Sequence, residues 1–363
     1  MKIKTAYADR QQSQLQVIDA ELDEPKANEV LIKLVATGIC HTDTAGRDGA
    51  TTPMPVALGH EGAGIVEKIG ASVVGVQPGD HVVLSFSYCG HCENCRAGHP
   101  GMCLHFNELN FDGANYDGTH RIHTTTGQDI STFFGQSSFS TYAVADEHSV
   151  VKVDPDADLR LLGPLGCGIQ TGAGTVLNYL KPKFGESLVI FGTGAVGLSA
   201  MMAAKILGLD HIIAVDIFDN RLTLAKELGA TETINSKGID VEAAVREILP
   251  NGADYTIDTT GVSPVVKSAV HVLKPAGECV LVGMGGDVTF NLMGDILAES
   301  KKIAGVVEGD AIPQLFIPKL VTYYQKGLFP IDRLVKFFKF DEINDAFAAS
   351  KDGSVLKPIV TFD

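Results

Sequence analysis

Residues 188–207 contain an apolar strand pattern, a glycine-rich turn and a helix pattern, and this arrangement constrains the fold more than any other part of the chain. The turn Gly192-Thr193-Gly194-Ala195-Val196-Gly197 has the spacing G-x-G-x-x-G. Its glycines permit a tight bend, a close approach of the backbone to a pyrophosphate and close packing of the helix on the strand. Because a helix N-terminus offers free N–H groups, the turn is typical of a dinucleotide site.

The same alternation of strand and helix continues to about residue 307. Six apolar segments have the length and composition of buried strands: Leu188–Phe191, His211–Asp216, Glu232–Ile234, Ala253–Asp258, Glu278–Gly283 and Lys302–Val306. Between most of them lie segments of helical periodicity: Ala195–Leu207, Asp219–Leu228, Val241–Ile248 and Ser263–Leu273. Strands joined by helical crossovers predict an α/β fold with a doubly wound, six-stranded parallel sheet.

A carboxylate at the end of the second of these strands indicates which dinucleotide is bound. Asp216 lies nineteen residues beyond Gly197, after the apolar residues 211–215. A carboxylate at this place can bind both ribose hydroxyls and repel a 2′-phosphate, which favours NAD over NADP. Arg221, on the following helix, either softens that repulsion or flanks the adenosine. The turn alone is a weak motif, but together with Asp216 it predicts NAD binding.

The first part of the chain indicates a second, mainly β domain. Residues 1–90 and 139–153 contain short strand patterns separated by turn signals such as Pro78-Gly79-Asp80, which predicts a partly closed barrel. Residues 104–135 are polar and rich in Gly and Asn, and we expect a surface loop there.

After Pro313 the sequence predicts a helix, a short strand, a second helix and a final strand, at 314–326, 334–340, 341–350 and 358–362. This tail is too small to form a domain. We therefore expect it to return to the first domain, which gives a catalytic domain of residues 1–168 with 308–363 and a nucleotide-binding domain of residues 169–307.

Four cysteines occur close together with the spacing Cys89-x₂-Cys92-x₂-Cys95-x₇-Cys103. Four thiolates suit a closed tetrahedral zinc site, which would be structural because it has no open position. An iron–sulfur cluster is the competing interpretation, since closely spaced cysteines also hold such clusters. The final gap is longer than in ferredoxin-type runs, and this favours zinc.

A second candidate metal site centres on Gly59-His60-Glu61, a polar pair in an otherwise apolar segment. Imidazole, thiolate and carboxylate are all zinc ligands, and Cys40 and Cys167 are candidate partners of His60. Taken alone, His60 is more often expected to be a buried core histidine than a ligand. The remaining motifs favour the metal.

The composition excludes some partners. A formal net charge of −15 argues against nucleic acid and against an anionic membrane surface. The apolar run Leu188–Leu207 contains three glycines and is expected to be a buried strand–helix unit, not a membrane span. No apolar run follows Met1–Thr5, so no signal peptide is expected. The seven cysteines are then expected to be thiols or metal thiolates in the cytoplasm.

Together these motifs make the sequence similar to the zinc-dependent medium-chain alcohol dehydrogenases over essentially the whole chain. The family's zinc signature matches Gly59-His60-Glu61-x-x-Gly64 with Gly70 and Val73 behind it. The stretch Cys40-His41-Thr42-Asp43, the four-cysteine segment, Cys167 and the glycine turn follow in the family's order. The resemblance implies a GroES-like catalytic domain that carries a zinc-binding lobe, and a Rossmann domain for NAD.

The resemblance also implies roles for individual residues. Cys40, His60 and Cys167 would be ligands of a catalytic zinc, with Glu61 beside the metal. Asp43 would hydrogen-bond His60, and Thr42 would receive the substrate proton. Two zinc ions per chain are expected, one catalytic and one structural.

For the cofactor, the resemblance places Thr171 and Val196 against the nicotinamide, and Lys357 near a position that often carries a cation for the pyrophosphate. The histidine that completes the proton relay in liver-type enzymes is replaced here by Ala45. Consequently His41 either passes the proton on or only contacts the pyrophosphate, in which case the proton leaves through water.

The substrate expectation depends on two stretches. Ser85-Phe86-Ser87-Tyr88 and residues 163–171 are most similar to the aryl-alcohol (benzyl-alcohol) branch, and Ala45 agrees with that branch. The family resemblance implies reversible oxidation of a primary or secondary alcohol to an aldehyde or ketone, and these stretches favour aryl or benzylic primary alcohols. The alternatives are a short aliphatic alcohol dehydrogenase, a glutathione-linked formaldehyde dehydrogenase and a zinc-free quinone or enone reductase. The family is usually dimeric or tetrameric, so a homo-oligomer is expected.

Overall fold

The computed structural model describes residues 1–49 and 51–362. The chain divides into two compact units, one formed by Met1–Gly168 with the segment that begins at Ala311, and the other by Ile169–Asp310. The chain thus re-enters the first unit at Ala311 rather than at residue 308. Among the helices of the described residues, none combines the length and apolar character needed to cross a bilayer.

The strands of the described residues, in chain order, are β1 (Lys2–Ala8), β2 (Gln16–Leu22), β3 (Glu29–Gly38), β4 (Val56–Ala57), β5 (Gly62–Ile69), β6 (His81–Leu84), β7 (Ile122–Thr124), β8 (Asp129–Thr132), β9 (Tyr142–Asp146), β10 (Val150–Lys152), β11 (Ser187–Phe191), β12 (His211–Asp216), β13 (Glu232–Asn235), β14 (Ala253–Asp258), β15 (Leu273–Leu281), β16 (Lys302–Gly305), β17 (Val335–Lys339) and β18 (Lys357–Thr361). The α-helices are α1 (His41–Asp48), α2 (Glu93–Arg96), α3 (Phe106–Phe111), α4 (Leu159–Leu162), α5 (Gly168–Gly174), α6 (Ala195–Leu207), α7 (Asp219–Leu228), α8 (Val241–Ile248), α9 (Ser263–His271), α10 (Pro313–Gln325) and α11 (Ile343–Lys351).

The second unit is a six-stranded parallel sheet with the order β13-β12-β11-β14-β15-β16, which confirms the predicted doubly wound sheet. Residues on its central strands, such as Val189, Ile213 and Ile257, are fully buried. Such apolar strands are expected where helices cover both faces of a sheet.

One boundary in this sheet differs from the prediction. Helix α9 ends at His271 and β15 begins at Leu273, whereas the sequence predicted a helix through Leu273 and a strand from Glu278. Leu273 is fully buried and pairs with Ala253 of β14, and the ladder is irregular between Ala253 and Tyr255. Pairing within the sheet therefore outweighs the helical pattern at the end of α9.

The first unit contains a closed barrel with the order β1-β2-β7-β8-β4 and a second sheet with the order β10-β6-β5-β3-β18-β17, in which β9 also pairs with β3. Strand β18 lies antiparallel to β3, with Ile359 opposite Gly38. The C-terminal strand therefore belongs to the sheet that leads into Cys40, just after the end of β3.

The prediction of a surface loop at residues 104–135 is wrong. This segment forms α3, β7 and β8, and it ends in two buried aromatic residues, Phe133 and Phe134, which are 0% and 3% exposed. Its average polarity hides a few apolar side chains, such as Ile122 and Ile130, that alternate with polar ones and face the barrel core. The alternation of apolar and polar residues with a period of two indicates these strands, whereas the average composition of the segment does not.

A buried ion pair ties this segment to β3. Arg121 donates from Nη2 and Nε to Oε1 of Glu29, at 2.7 and 3.1 Å. Glu29 is 4% exposed and Arg121 is 8% exposed. The second carboxylate oxygen accepts the backbone N–H of Lys26 at 2.9 Å. Both charges are therefore taken out of water and depend on each other.

We expect Glu29→Gln to lower the free energy of unfolding of the first unit by about 3–5 kcal/mol, because Arg121 then remains buried without its counter-ion. Glu24→Gln is the matched control, since the Glu24–Lys68 pair is 65% and 58% exposed and water screens such a surface pair, so that little stability should be lost. Urea unfolding followed by circular dichroism measures both. Equal shifts in the two variants would contradict the assignment.

Candidate active site and cofactor sites

Four side chains that are far apart in the sequence meet in the first unit. The ligand atoms of Cys40, His60, Glu61 and Cys167 all lie within 4.8 Å of one another. Cys40 follows β3 and precedes α1, His60 lies between β4 and β5, and Cys167 closes a short helical turn before α5. His60 and Glu61 are 0% exposed, and Cys167 is 7% exposed. The fold thus brings the predicted donor set together, with three of the four side chains buried and Cys40 half-buried.

The hydrogen bonds of His60 suit a metal ligand. Its Nδ1 lies 2.8 Å from Oδ1 of Asp43, which as a carboxylate can only accept. Its Nε2 is buried and has no hydrogen-bond partner among the described residues. A buried nitrogen left without a partner costs about 1–3 kcal/mol. A zinc ion at Nε2 removes that cost, and a carboxylate on the other nitrogen is the usual partner of a zinc-bound histidine.

Asp43 organises the backbone around the site as well. Its Oδ2 accepts the N–H of Cys40 at 2.9 Å, and its Oδ1 also accepts the N–H of Gly59 at 3.1 Å. Asp43 is 0% exposed. One carboxylate therefore orients the imidazole and holds the two chain segments that carry Cys40 and His60.

The electrostatics of the site favour a thiolate. The hydrogen bond with Cys167 and the positive charge of Lys357 hold the pKa of Cys40 well below its usual range, although burial opposes them. The thiolate is the form of cysteine that binds metals. The donor set therefore fits a zinc ion in both geometry and charge.

Lys357 is buried against Glu61, a partner that the sequence did not indicate. It is 3% exposed, and its Nζ donates to both oxygens of Glu61, at 2.9 and 3.0 Å, and to the carbonyl of Ile39 at 3.2 Å. Burial acts to lower the pKa of Lys357, but the charges of Glu61, Cys40 and Cys167 and the hydrogen bond to Glu61 together outweigh it and keep that pKa above its usual range. The structure therefore pairs Lys357 with Glu61, and its contact with the cofactor pyrophosphate stays a prediction. No short motif could reveal a pair separated by 296 residues.

Helix α1 carries the candidate proton-transfer groups. Thr42 Oγ1 lies 3.6 Å from Sγ of Cys40, so its hydroxyl is beside a candidate metal ligand. His41, the first residue of the helix, is exposed, and Ala45 one turn later carries no titratable group. The hydroxyl of Thr42 therefore lies beside the donor set, whereas the side chain of His41 is exposed to water.

The four-cysteine cluster has the dimensions of a site for one ion. All four sulfur atoms lie within 4.8 Å of one another. The Cys89–Cys95 and Cys92–Cys103 pairs are each 4.0 Å apart. Zn–S bonds of about 2.3 Å imply tetrahedron edges of about 3.8 Å. A multi-iron cluster distributes its thiolates over several irons and holds them farther apart, so this geometry favours a single zinc ion.

Backbone amides surround these sulfur atoms. The N–H groups of Cys89 and His105 donate to Sγ of Cys103 at 3.4 Å each, and that of Cys92 donates to Sγ of Cys89 at 3.3 Å. Amides of Cys95 and Leu104 lower the pKa of Cys92 to about 6, whereas burial raises the pKa of Cys95. A bound cation is needed to hold all four groups as thiolates.

In the second unit the three glycines of the turn have different tasks. Gly192 has φ 91°, and a Cβ on it would lie 2.4 Å from Oγ1 of Thr259. A Cβ on Gly197 would lie 2.0 Å from the carbonyl oxygen of Gly192. Around Gly194 there is nothing within 4 Å of such a Cβ, so open space adjoins the N-terminus of α6. Two glycines make the turn possible, and the third leaves room for a pyrophosphate.

Asp216 is held firmly beside this turn. Its Oδ2 accepts the N–H and the hydroxyl of Thr193, both at 2.7 Å, and its Oδ1 accepts the N–H groups of Ile217 and Phe218 at 2.7 and 3.1 Å. These bonds fix the carboxylate at the edge of a cavity of about 620 Å³ that Gly194 and Arg221 also line. The guanidinium of Arg221 lies 4.7 Å from the ring centre of Phe218. The cavity has the size and lining that an adenosine requires.

Thr171 and Val196 lie on two helices of this unit that touch. A Cβ on Gly172 would lie 2.0 Å from the carbonyl oxygen of Val196, so α5 packs directly on the start of α6. The hydroxyl of Thr171 donates to Oε2 of Glu308 at 3.4 Å, and Glu308 is 7% exposed. Sequence reasoning missed Glu308, since a single acidic residue near the end of the nucleotide-binding segment carries no motif.

We expect Asp43→Asn to weaken zinc binding at the Cys40–His60–Cys167 site by about 10- to 100-fold, because the imidazole loses the charged partner that orients it. Zinc retained against increasing chelator concentration measures this effect, and one of two zinc ions per chain should be lost early. Asp48→Asn is the control, since Asp48 is on the same helix but pairs with Arg47. Equal zinc retention in both variants would contradict the role of Asp43.

Comparisons with known proteins identify the family of this chain. Residues 26–155 match the family model of the alcohol dehydrogenase GroES-like domain, and residues 195–321 match that of the zinc-binding dehydrogenases. Geraniol dehydrogenase of Castellaniella defragrans is 44% identical over 354 residues, which are 96% of this chain and 94% of that protein.

Two solved structures are also similar over their whole length. An alcohol dehydrogenase zinc-binding domain protein from Burkholderia ambifaria has a TM-score of 0.97 at 46% identity, and the aligned region covers 100% of this chain and 99% of that protein. Benzyl alcohol dehydrogenase from Acinetobacter calcoaceticus has a TM-score of 0.96 at 46% identity, with 100% of both chains covered. With a donor set for zinc in one unit and a dinucleotide turn in the other, this chain belongs to the zinc-dependent alcohol dehydrogenase family.

Proposed function

We propose that this enzyme catalyses the reversible, NAD-linked oxidation of primary alcohols whose carbinol carbon adjoins an aromatic ring or a carbon–carbon double bond. The observation that carries the chemistry is the buried set of Cys40, His60 and Cys167, in which Nε2 of His60 has no other partner among the described residues. Three protein donors of a tetrahedral ion leave one position for the substrate oxygen.

When bound, zinc supplies a Lewis acid that lowers the pKa of the alcohol, and NAD supplies the hydride acceptor. The chain supplies the rest. Cys40 and Cys167 contribute negative charge to the donor set, and Asp43 keeps the imidazole of His60 in position. Glu61 lies beside the donors, and Lys357 holds its carboxylate. Burial of His60, Glu61, Cys167 and Asp43 limits the access of water to the donors.

We assign the first proton transfer to Thr42. The hydroxyl of Thr42 lies beside Cys40, and this position allows it to accept the proton that the alcohol loses. Ala45 cannot take the proton further, whereas His41 is exposed one residue before Thr42. The proton therefore leaves to water either directly or through His41.

The substrate class rests on the two similar enzymes with named substrates. Geraniol and benzyl alcohol are both primary alcohols with a π system next to the carbinol carbon. Conjugation stabilises the aldehyde formed from either one, and both present a large apolar group that a pocket can bury. The alternatives named above, short aliphatic alcohols and a glutathione-linked substrate, lack this common feature. A zinc-free reductase would have no use for the donor set.

The cofactor preference rests on Asp216. Its carboxylate is negative, is fixed by four hydrogen bonds and lines the cavity beside the turn. A 2′-phosphate would be repelled there, so NAD is preferred over NADP. None of the seven cysteines is in a disulfide within the part of the chain that the structure describes, which supports a reducing compartment, for which we propose the cytoplasm.

We expect kcat/KM for benzyl alcohol and for geraniol to exceed that for ethanol by about 100-fold, since burying a ring or a short alkenyl chain is worth about 3 kcal/mol. The measurement is the initial rate of NADH formation over a panel of benzylic, allylic and aliphatic alcohols and a glutathione adduct of formaldehyde. Parallel assays with NADP test the role of Asp216. A preference for ethanol or for the glutathione adduct would overturn the substrate class.

A homo-oligomer is proposed from the second unit. Strand β16 pairs with β15 and with no other described strand, so one edge of the sheet is open. Leu292, Met293 and Leu297, just before this strand, are 69%, 65% and 63% exposed. An open edge beside exposed apolar side chains favours pairing with a second copy.

We expect the enzyme to run as a dimer or tetramer, and the double substitution Met293→Asp with Leu297→Asp to shift it towards smaller species, because charges then oppose the apolar contact. Size-exclusion chromatography with light scattering measures the mass. Phe184→Asp is the control, since Phe184 is 85% exposed elsewhere in the same unit. A monomeric wild-type enzyme would overturn the proposal.

A further inference from the structure

Two histidines adjoin the four-cysteine cluster without belonging to it. His91 lies two residues after Cys89 and is exposed, and His105 lies two residues after Cys103, just before α3. One ring nitrogen of each histidine and Sγ of Cys89 all lie within 4.8 Å of one another. The ligand atoms of Cys40, His60, Glu61 and Cys167 lie within the same limit of 4.8 Å.

Both imidazoles carry the hydrogen bonds of metal-binding histidines. Nδ1 of His91 lies 2.7 Å from the carbonyl oxygen of Cys89, and Nδ1 of His105 lies 2.8 Å from Oε2 of Glu108. The carbonyl oxygen can only accept a hydrogen bond, and so can Oε2 of Glu108 when that carboxylate is ionised. Nδ1 is therefore the donor in each ring. Nε2 then carries the lone pair. A carbonyl or carboxylate that fixes the tautomer in this way is the usual outer partner of a histidine ligand.

Charge also favours a second cation at this place. Four thiolates with one divalent ion leave a net charge of −2, and Glu108 adds a further negative charge beside His105. A thiolate has more than one lone pair, so Sγ of Cys89 can bind an ion of the cluster and a neighbouring ion together. The rings of His91 and His105 have centroids 6.3 Å apart and do not stack on each other. A solvent ion can reach them, because the side chain of His105 is 31% exposed and His91 is exposed.

We propose that His91, His105 and the sulfur of Cys89 form a second metal site in this lobe, which takes zinc or another borderline divalent ion and shares Cys89 with the four-cysteine site. Imidazole and thiolate are the ligands that zinc prefers. Three protein ligands leave one coordination position for water. The site is weaker than the four-cysteine site because it is exposed and its sulfur is shared, so it fills only after the two sites described above are occupied.

The test is the zinc stoichiometry of the holoenzyme. Enzyme with two zinc ions per chain is dialysed against increasing Zn²⁺, and bound metal is measured by elemental analysis. We expect the wild type to bind a third equivalent of zinc and the double variant His91→Ala/His105→Ala to bind only two. The control His211→Ala, with a histidine 39% exposed in the other unit and paired with Glu232, should keep the third equivalent. A wild type that stays at two equivalents, or a double variant that keeps three, overturns the proposal.

A second measurement tests the shared sulfur. Co²⁺ added to the two-zinc holoenzyme should bind at the new site and show sulfur-to-cobalt charge-transfer absorption, which histidine ligands alone do not produce. Binding of cobalt without this absorption would exclude Cys89 as a shared ligand. Each single variant, His91→Ala and His105→Ala, should weaken the third equivalent by roughly tenfold or more. Benzyl-alcohol oxidation should be unchanged in all variants, which shows that the lobe is folded.

Discussion

The candidate zinc site depends on the carboxylate of Asp43. It accepts a hydrogen bond from the imidazole of His60 and from the backbone N–H groups of Cys40 and Gly59, so one buried group positions two ligand-bearing segments. A buried carboxylate is stable only when its oxygens are hydrogen-bonded, and here all three partners belong to the site. Asp43 can therefore be buried only when the two segments that carry Cys40 and His60 are arranged around it. A looser arrangement would leave Asp43 or His60 unsatisfied in a low-dielectric pocket.

The ion pair of Glu61 and Lys357 affects the charge balance beside the donor set. It places a negative and a positive charge together behind the donors, so that Glu61 does not face the thiolates of Cys40 and Cys167 as an isolated anion. Lys357 comes from β18, the last strand of the sheet that contains β3. The end of the chain thus completes the electrostatics of a site whose ligands lie in the first 167 residues. The segment that begins at Ala311 therefore belongs to the unit that contains the candidate zinc site.

Much of the architecture could be predicted because its signals are local. The strand–turn–helix pattern around Gly192, the alternation behind it and the spacing of Cys89, Cys92, Cys95 and Cys103 each occupy a short window. Helices α6, α7 and α8 have the predicted bounds. The segment 104–135 was misjudged because its few buried apolar residues, such as Phe133, are diluted by polar ones. The end of α9 was misplaced because the pairing of Leu273 with Ala253 is a long-range contact.

The amino-acid sequence by itself determined which residue types were available at each place: the dinucleotide turn with Asp216, the four-cysteine segment, and Cys40, His60 and Cys167 as candidates. Tertiary structure alone decided their environments. It left Nε2 of His60 without a partner among the described residues and paired Lys357 with Glu61. It also brought His91 and His105 next to Cys89. The physical reason is that ligand geometry and ion pairing act over a few ångströms of space, while the residues involved are separated by up to 296 positions of chain.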